Sequence, residues 1–151
     1  MKDVDVLVIS LSSPLKVGIY EDKKLIKEYV KNEQTSEVLP LVFEDILKNY
    51  KPKALFFANG PGSFMAIKIS YIFLKSLSVS LDIELFGVDG FVFNDNRPIR
   101  AMRKVYFIKK DDKIETKMIK DELEQHFDLP KVLHVELFSK DCEPLYVLPA
   151  V

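Results

Sequence analysis

The residues best suited to hold a small anion lie in two turns. The Gly-Pro-Gly-Ser turn at 60–63 follows an apolar run and precedes a helical pattern, so its free backbone amides stand at the amino end of a helix. An earlier turn offers two adjacent hydroxyl groups. The candidate phosphate loop comprises Ser12, Ser13, Gly60, Gly62 and Ser63. The glycines also have a purely structural interpretation, because glycine permits tight turns.

Other residue types capable of chemistry are sparse. His126 and His134 are eight residues apart, show no HExxH pattern and have no neighbouring cysteine, so no metal site is predicted. The single Cys142 cannot form an internal disulfide, which fits a reducing compartment. No catalytic residues are predicted, and no cofactor is expected.

The composition narrows the functional class. Lys and Arg number 22 against 23 Asp and Glu, so no broad positive field is predicted and direct nucleic-acid binding by this chain alone is not expected. The first residues, MKDVDVLVIS, lack the apolar segment of a signal peptide. No apolar run of about 18 residues lacks a charge, so no membrane span is predicted. We expect a cytoplasmic protein.

The first 90 residues predict an α/β domain. Apolar and β-branched runs at 4–10, 15–20 and 25–30 predict an antiparallel meander. A helical pattern begins at Ser36 and continues to Tyr50, where Lys51 and Pro52 are expected to end it. A buried strand at 54–59, a helix from Ser63 to about residue 81 and a strand at 84–88 follow. The order predicts a mixed sheet with flanking helices.

The rest of the chain differs in character. Polar residues at 90–98 predict a boundary between a first lobe at 1–90 and a reduced second lobe at 91–151. Strands are predicted at 104–109 and 114–118, with a short helix at 121–127, a further strand at 132–138 and an extended segment at 144–148.

Four segments, in order, resemble the TsaB (YeaZ) family. Residues 9–14 (ISLSSP) are similar to the family's first strand and turn, and residues 35–41 (TSEVLPL) to its HSExLLP helix start. Residues 60–69 (GPGSFMAIKI) resemble GPGSFTGLRIG, the most specific of the four. Residues 100–106 (RAMRKVY) resemble DARMGEVY, and residues 143–146 (EPLY) its closing strand.

The resemblance implies an actin/hexokinase-like fold with a truncated second lobe. It implies a non-catalytic subunit that pairs with the TsaD transferase in the threonylcarbamoyl modification of tRNA adenosine, alongside the TsaE ATPase and the TsaC synthase. Ser10 stands where the working ATPases of this fold have Asp, and Met65 and Ala66 replace a Thr-Gly pair. Ser supplies no carboxylate for Mg²⁺, so the phosphate loop is expected to be vestigial. The alternative is a small ATP-binding phosphotransferase or ATPase that uses this loop. The sequence leaves open whether the free chain is a monomer or a homodimer.

The faces of the helix that starts after Ser63 follow from a rotation of about 100° per residue. Met65, Ile69, Ile72, Phe73 and Leu77 are predicted to meet the sheet and the neighbouring helix. A stripe of mixed character is predicted to face outward, and it comprises Phe64, Lys68, Tyr71, Lys75 and Ser78. This stripe is either plain solvated surface or, as the resemblance implies, the surface that contacts TsaD.

Overall fold

A computed structural model of the chain describes residues 1–145. It contains a five-stranded and a three-stranded sheet, in the orders β3-β2-β1-β4-β5 and β6-β7-β8. The elements are β1 Lys2–Ile9, β2 Leu15–Glu21, β3 Lys24–Lys31, α1 Thr35–Asn49, β4 Tyr50–Ala58, α2 Phe64–Leu81, β5 Glu84–Val88, β6 Ile99–Met102, β7 Val105–Lys110 and β8 Lys113–Met118. Two short 3₁₀ helices span Gly90–Phe93 and Val135–Leu137.

The larger sheet is mixed, as the sequence predicted. β1, β2 and β3 form an antiparallel meander, whereas β4 pairs parallel with β1 and β5 parallel with β4. The helix α2 joins the parallel pair β4 and β5, and the chain passes from β1 to its parallel neighbour β4 through β2, β3 and α1. Parallel neighbours need such long crossover connections. The α/β fold with a mixed sheet and flanking helices is confirmed.

Both faces of this sheet are covered. Alternate residues of β1 point to opposite sides, so Val4, Val6 and Val8 join a cluster with α1, while Leu7 and Ile9 join a second cluster. The second cluster includes aromatic residues that follow β5, among them Phe91, Phe93, Phe107 and Phe127. The two helices therefore cover mainly one face, whereas side chains from residues 91–133, together with Ile67 at the start of α2, cover the other. The division into lobes at residue 90 stays a prediction.

The end of α1 differs from the prediction. The helix stops at Asn49 and β4 begins at once with Tyr50, so Lys51 and Pro52 belong to the strand rather than to a helix terminator. Pro52 pairs with Val4 beside a register shift, where a residue without an N–H is tolerated in a sheet. Ser36 lies within the first turn and does not cap the helix; the N-cap is Gln34, without a side-chain bond.

The predicted hairpin at 104–118 is confirmed as β7 and β8, and β6 is an additional strand that pairs with β7. The predicted helix at 121–127 is wrong, because this segment is irregular and bound to the small sheet. The Leu123 N–H donates to the Tyr106 hydroxyl at 2.9 Å, and the Arg100 N–H donates to Gln125 Oε1 at 2.9 Å. These tertiary bonds replace the local bonds of a helix.

The predicted strand at 132–138 is also wrong. Val132 makes one isolated bridge with Lys24, and a 3₁₀ turn at Val135–Leu137 follows. Of the predicted extended segment at 144–148, Pro144 and Leu145 are irregular, and residues 146–148 lie outside the described residues.

The helix α2 is unusually apolar. By length and composition alone, its 18 residues could cross a membrane. That property is weak evidence of a span, since core helices of soluble proteins share it. Here one side of α2 contributes Ile67 and Leu74 to the two hydrophobic clusters, and Lys68 and Lys75 interrupt the other side.

Candidate functional site

The glycines of the candidate phosphate loop form packing contacts. Gly60 has φ +126°, a conformation that side-chain-bearing residues rarely adopt. A Cβ on Gly62 would lie 2.8 Å from the Leu11 carbonyl oxygen, and the Ser63 N–H donates to that same oxygen at 3.1 Å. Gly62 therefore permits the turn after β4 to lie directly against the turn after β1.

This contact brings the predicted hydroxyl groups together. Ser12, Ser13 and Ser63 line one open cavity of about 410 Å³ between the turn after β1, the β3–α1 connection and the start of α2. Gly60 and Gly62 do not line it. The structure thus assembles three of the five residues of the candidate phosphate loop around a space that a small molecule could enter.

The cavity lining is polar but has little positive charge. The complete lining is Ser10, Ser12, Ser13, Leu15, Asn32, Glu33, Gln34, Thr35, Ser36, Ser63, Met65, Ala66 and Ile69. Among the described residues, neither Lys nor Arg lines it, and the one charged lining residue is Glu33. A carboxylate repels a phosphate at short range. The cavity offers hydroxyl and amide groups, but no side chain that would balance a phosphate charge.

Ser10 has a structural partner. It is 3% exposed, and its Oγ lies 2.7 Å from the Oγ of Ser70, which is fully buried. This hydroxyl pair joins the end of β1 to the middle of α2. The Ser10 hydroxyl therefore has its hydrogen-bond partner within the fold, away from the cavity surface.

The remaining candidate groups lie apart. His126 and His134 each lie near a carboxylate two residues away, Asp128 at 2.8 Å and Glu136 at 3.3 Å. Burial raises the pKa of the Cys142 thiol, which favours its protonated form. Within residues 1–145, no group of three or more His, Cys, Asp or Glu side chains is placed to hold a metal ion.

The predicted outward stripe of α2 does not lie on one surface. Ser78 is 5% exposed and donates its hydroxyl to the Lys75 carbonyl oxygen at 2.8 Å, and Tyr71 is half-buried with its ring stacked 6.0 Å from that of Phe57. Phe64, Lys68 and Lys75 are exposed. The predicted stripe thus mixes three surface residues with two that contact the interior.

The predicted inward face is also partly wrong, because Met65 and Ile72 are 69% and 54% exposed. The buried positions of α2 are Ile67, Ser70, Leu74 and Ser78. At 100° per residue, the buried face is therefore rotated by about 140° from the predicted one. The small serine side chains on the buried face allow the helix to pack close to the sheet. Because α2 is apolar on most sides, the spacing of its apolar residues does not identify this face.

Apolar side chains remain on the outer side of α2. The α2 stripe, defined here as Met65, Ile69, Ile72, Ser76 and Val79, repeats at intervals of four, three, four and three residues, so its members share one face. On the adjacent α1, Leu41 is 63% exposed. Met65 and Ile69 also line the cavity, so stripe and cavity are continuous.

Two curated proteins are similar to this chain in sequence. The tRNA threonylcarbamoyladenosine biosynthesis protein TsaB of Buchnera aphidicola subsp. Schizaphis graminum is 32% identical over 95 residues, which are 58% of this chain and 45% of the relative. TsaB of Buchnera aphidicola subsp. Acyrthosiphon pisum is 27% identical over 108 residues, 65% and 48% of the two chains. The chain thus spans about half the length of the curated relatives it matches. No protein-family model matches it.

Two solved structures share the fold. YeaZ from Pseudomonas aeruginosa aligns with a TM-score of 0.61 at 12% identity, over 85% of this chain and 72% of its own. A crystal structure of an uncharacterized protein with similarity to peptidase YeaZ from Pseudomonas aeruginosa aligns with a TM-score of 0.59 at 13% identity, over 78% and 64%. The predicted fold class is confirmed by these structures, and the resemblance to the TsaB (YeaZ) family by the curated relatives.

Proposed function

We propose that this chain, as a member of the TsaB (YeaZ) family, serves tRNA threonylcarbamoyladenosine biosynthesis as a non-catalytic subunit. In this proposal it binds a TsaD-type transferase in the cytoplasm and acts alongside a TsaE-type ATPase, and the chemistry stays with these partners. The process named for the two TsaB relatives supports this assignment. The exposed surface of this chain supports the subunit role.

The observation that carries the proposal is the α2 stripe. A helix that packs on a sheet normally exposes polar residues on its outer side, and large exposed apolar patches mark interaction surfaces. Met65, Ile72 and Val79 are 69%, 54% and 73% exposed on that side. A partner helix that covered them would bury apolar surface that the isolated chain leaves in water.

The chemistry around this stripe suits a partner interface. Lys68 and Lys75 are exposed on the same helix, and their long apolar stems can cover surface while the ammonium groups stay hydrated. Apolar anchors with a polar border are typical of protein interfaces. In the absence of a transferase, two copies of the chain would use the same stripe to form a homodimer, so the two associations would exclude each other.

The non-catalytic assignment rests on the cavity and on Ser10. The Ser10 hydroxyl is bonded to Ser70, and Glu33 is the charged residue of the lining. Neither supplies what a phosphotransferase needs to hold Mg²⁺ and phosphate. A calorimetric titration of the purified protein with Mg²⁺-ATP separates the two classes, because saturable micromolar binding would favour the ATPase alternative.

The test is co-expression of the tagged chain with the TsaD-type protein encoded in the same genome. We expect an equimolar complex on size-exclusion chromatography with light scattering. When TsaC- and TsaE-type proteins, ATP, threonine and bicarbonate are added, tRNA should gain the threonylcarbamoyl group only if this chain is present. An equally active mixture without the chain, or no complex with TsaD, would contradict the proposal.

A further inference from the structure

The charges of the chain are segregated although their total is balanced. Residues 97–120 contain nine Lys and Arg against three Asp and Glu, whereas the whole chain has 22 against 23. The remaining residues therefore carry 13 cations and 20 anions. The sheet β6-β7-β8 is the basic part of an otherwise acidic protein. Because salt screens charges beyond about 10 Å, a polyanion that touches this sheet responds to the local excess rather than to the total.

Four of these nine cations lie together at one end of the small sheet. Arg100, Arg103, Lys104 and Lys120 line a single depression of about 340 Å³. The Ile119 N–H donates to the Lys104 carbonyl oxygen at 2.8 Å, which holds the exit of β8 against the turn between β6 and β7. This bond places Lys120 beside that turn.

A further cation lies on the same side. Lys117 of β8 pairs in register with Tyr106 of β7, and paired residues of neighbouring strands share a face of the sheet. Tyr106 lines the depression, so Lys117 is adjacent to it. We call Arg103, Lys104, Lys117 and Lys120 the basic end of the small sheet. All four are exposed.

Acidic side chains neutralise this surface only in part. Asp121 and Glu122 also line the depression, and Glu122 is paired with Arg100 at 3.0 Å. Within residues 1–145, no ion pair involves a member of the basic end. Four cationic groups therefore remain to bind anions from solution.

The residue types at the turn are not those that the backbone favours. Arg103 has φ +50°, a left-handed conformation that Asn or Gly adopts with less strain. The fold alone therefore does not account for arginine at this position. Tyr106 is 1% exposed, and its hydroxyl accepts the Leu123 N–H, so its ring is closed to a stacking base. The surface offers cations for phosphates and no exposed aromatic ring within the depression for bases.

We propose that the basic end contacts the phosphate backbone of RNA without reading its sequence. The inference rests on the proposed function for the choice of tRNA as the RNA. Four cations on a protein of balanced charge predict weak, strongly salt-dependent binding, which would add to the affinity of a partner that recognises the tRNA itself.

The experiment measures fluorescence anisotropy of a labelled, unmodified tRNA transcript titrated with the full chain at several KCl concentrations. The test variant is Lys104→Glu/Lys120→Glu. The matched control is Lys51→Glu/Lys53→Glu, which makes the same change in charge at two exposed lysines of β4. Circular dichroism melting checks that all three proteins are folded. A further variant, Arg103→Asn, removes one cation and suits the left-handed turn.

At 50 mM KCl the test variant should bind at least tenfold more weakly than the parent. Its slope of log affinity against log salt should be shallower by about two, roughly one for each phosphate that is no longer neutralised. Arg103→Asn should weaken binding without lowering the thermal midpoint, and the affinity of the control should stay within twofold of the parent's.

Equal weakening in the test variant and the control would overturn the inference, as would no binding by the parent. If polyglutamate displaced the tRNA at an equal concentration of negative charge, the RNA assignment would be overturned. The basic end would then be a binding surface for an acidic protein. The assay contains no transferase, so its failure leaves the α2 interface untouched.

Discussion

The substitution Ile72→Asp tests the α2 stripe where the structure and the hydrophobic pattern of the sequence disagree. The pattern places Ile72 in the core, where a carboxylate would unfold the protein. The structure leaves its side chain 54% exposed, in the middle of the stripe. The folded chain should therefore tolerate the change, and a partner that covers the stripe should not.

The two effects differ in size. Full burial of an isoleucine side chain contributes about 2 kcal/mol, so the half of Ile72 that the fold covers contributes roughly 1 kcal/mol. That change should lower the melting temperature by about 3 °C for a domain of this size. At an interface, the variant would forgo burial of the other half and would bury an unpaired carboxylate. We expect at least tenfold weaker binding of TsaD, or about 1.4 kcal/mol.

Calorimetry with the proposed TsaD-type partner and thermal melting measure these effects separately. The matched control is Leu74→Asp, two residues further along the same helix, because Leu74 is fully buried and its replacement should abolish folding. Unchanged affinity for TsaD in the Ile72→Asp protein would show that the stripe is ordinary solvated surface. An unfolded Ile72→Asp protein would show that the helix has the orientation predicted from the pattern.

Three further predictions concern buried residues. Ser10→Ala should destabilise the fold by about 1–3 kcal/mol because it leaves the Ser70 hydroxyl unpaired, and Ser10→Ala/Ser70→Ala should recover part of that stability in a urea denaturation cycle. Gly62→Ala should cost about 1–3 kcal/mol in the same assay, since its Cβ would press against the Leu11 backbone; a melting temperature equal to the parent's would contradict the contact. Burial raises the pKa of Asp5 above its ordinary value near 3.8, so its contribution to stability is greatest below that pH and is lost as the pH rises through the folded pKa. Asp5→Asn should therefore melt higher than the parent at pH 7, and the difference should shrink toward pH 4.

The positions of the main elements followed from local sequence. β1, β2 and β5 were predicted nearly to their ends, because short β-branched runs between charged or glycine-containing turns have few alternatives. The start of α2 was also predicted, since Ser63 caps it and its Oγ accepts the Ala66 N–H at 3.5 Å. The resemblance of GPGSF to its family pattern needed no tertiary information.

The pairing of distant turns required the tertiary structure. Ser12 and Ser63 were predicted as one candidate loop, but only the contact of Gly62 with Leu11 shows why they share a cavity. The segment at 121–127 had a helical composition and became irregular, because hydrogen bonds to the small sheet compete with those of a helix. Such hydrogen bonds link residues far apart in sequence, so local sequence patterns do not predict them.

Local sequence patterns are enough to predict a mixed α/β domain and to identify α2 as a helix. The side of α2 that faces water depends instead on tertiary packing. A helix with apolar residues on most sides has several orientations of similar hydrophobic burial. Packing resolved this choice, because the buried pair Ser10 and Ser70 and the small side chain of Ser78 allow the helix to lie close to the sheet. The larger side chains of Met65 and Ile72 were thereby left outside. The α2 stripe, which we propose as the partner interface, is therefore exposed because this helix packs closely on the sheet through its serine side.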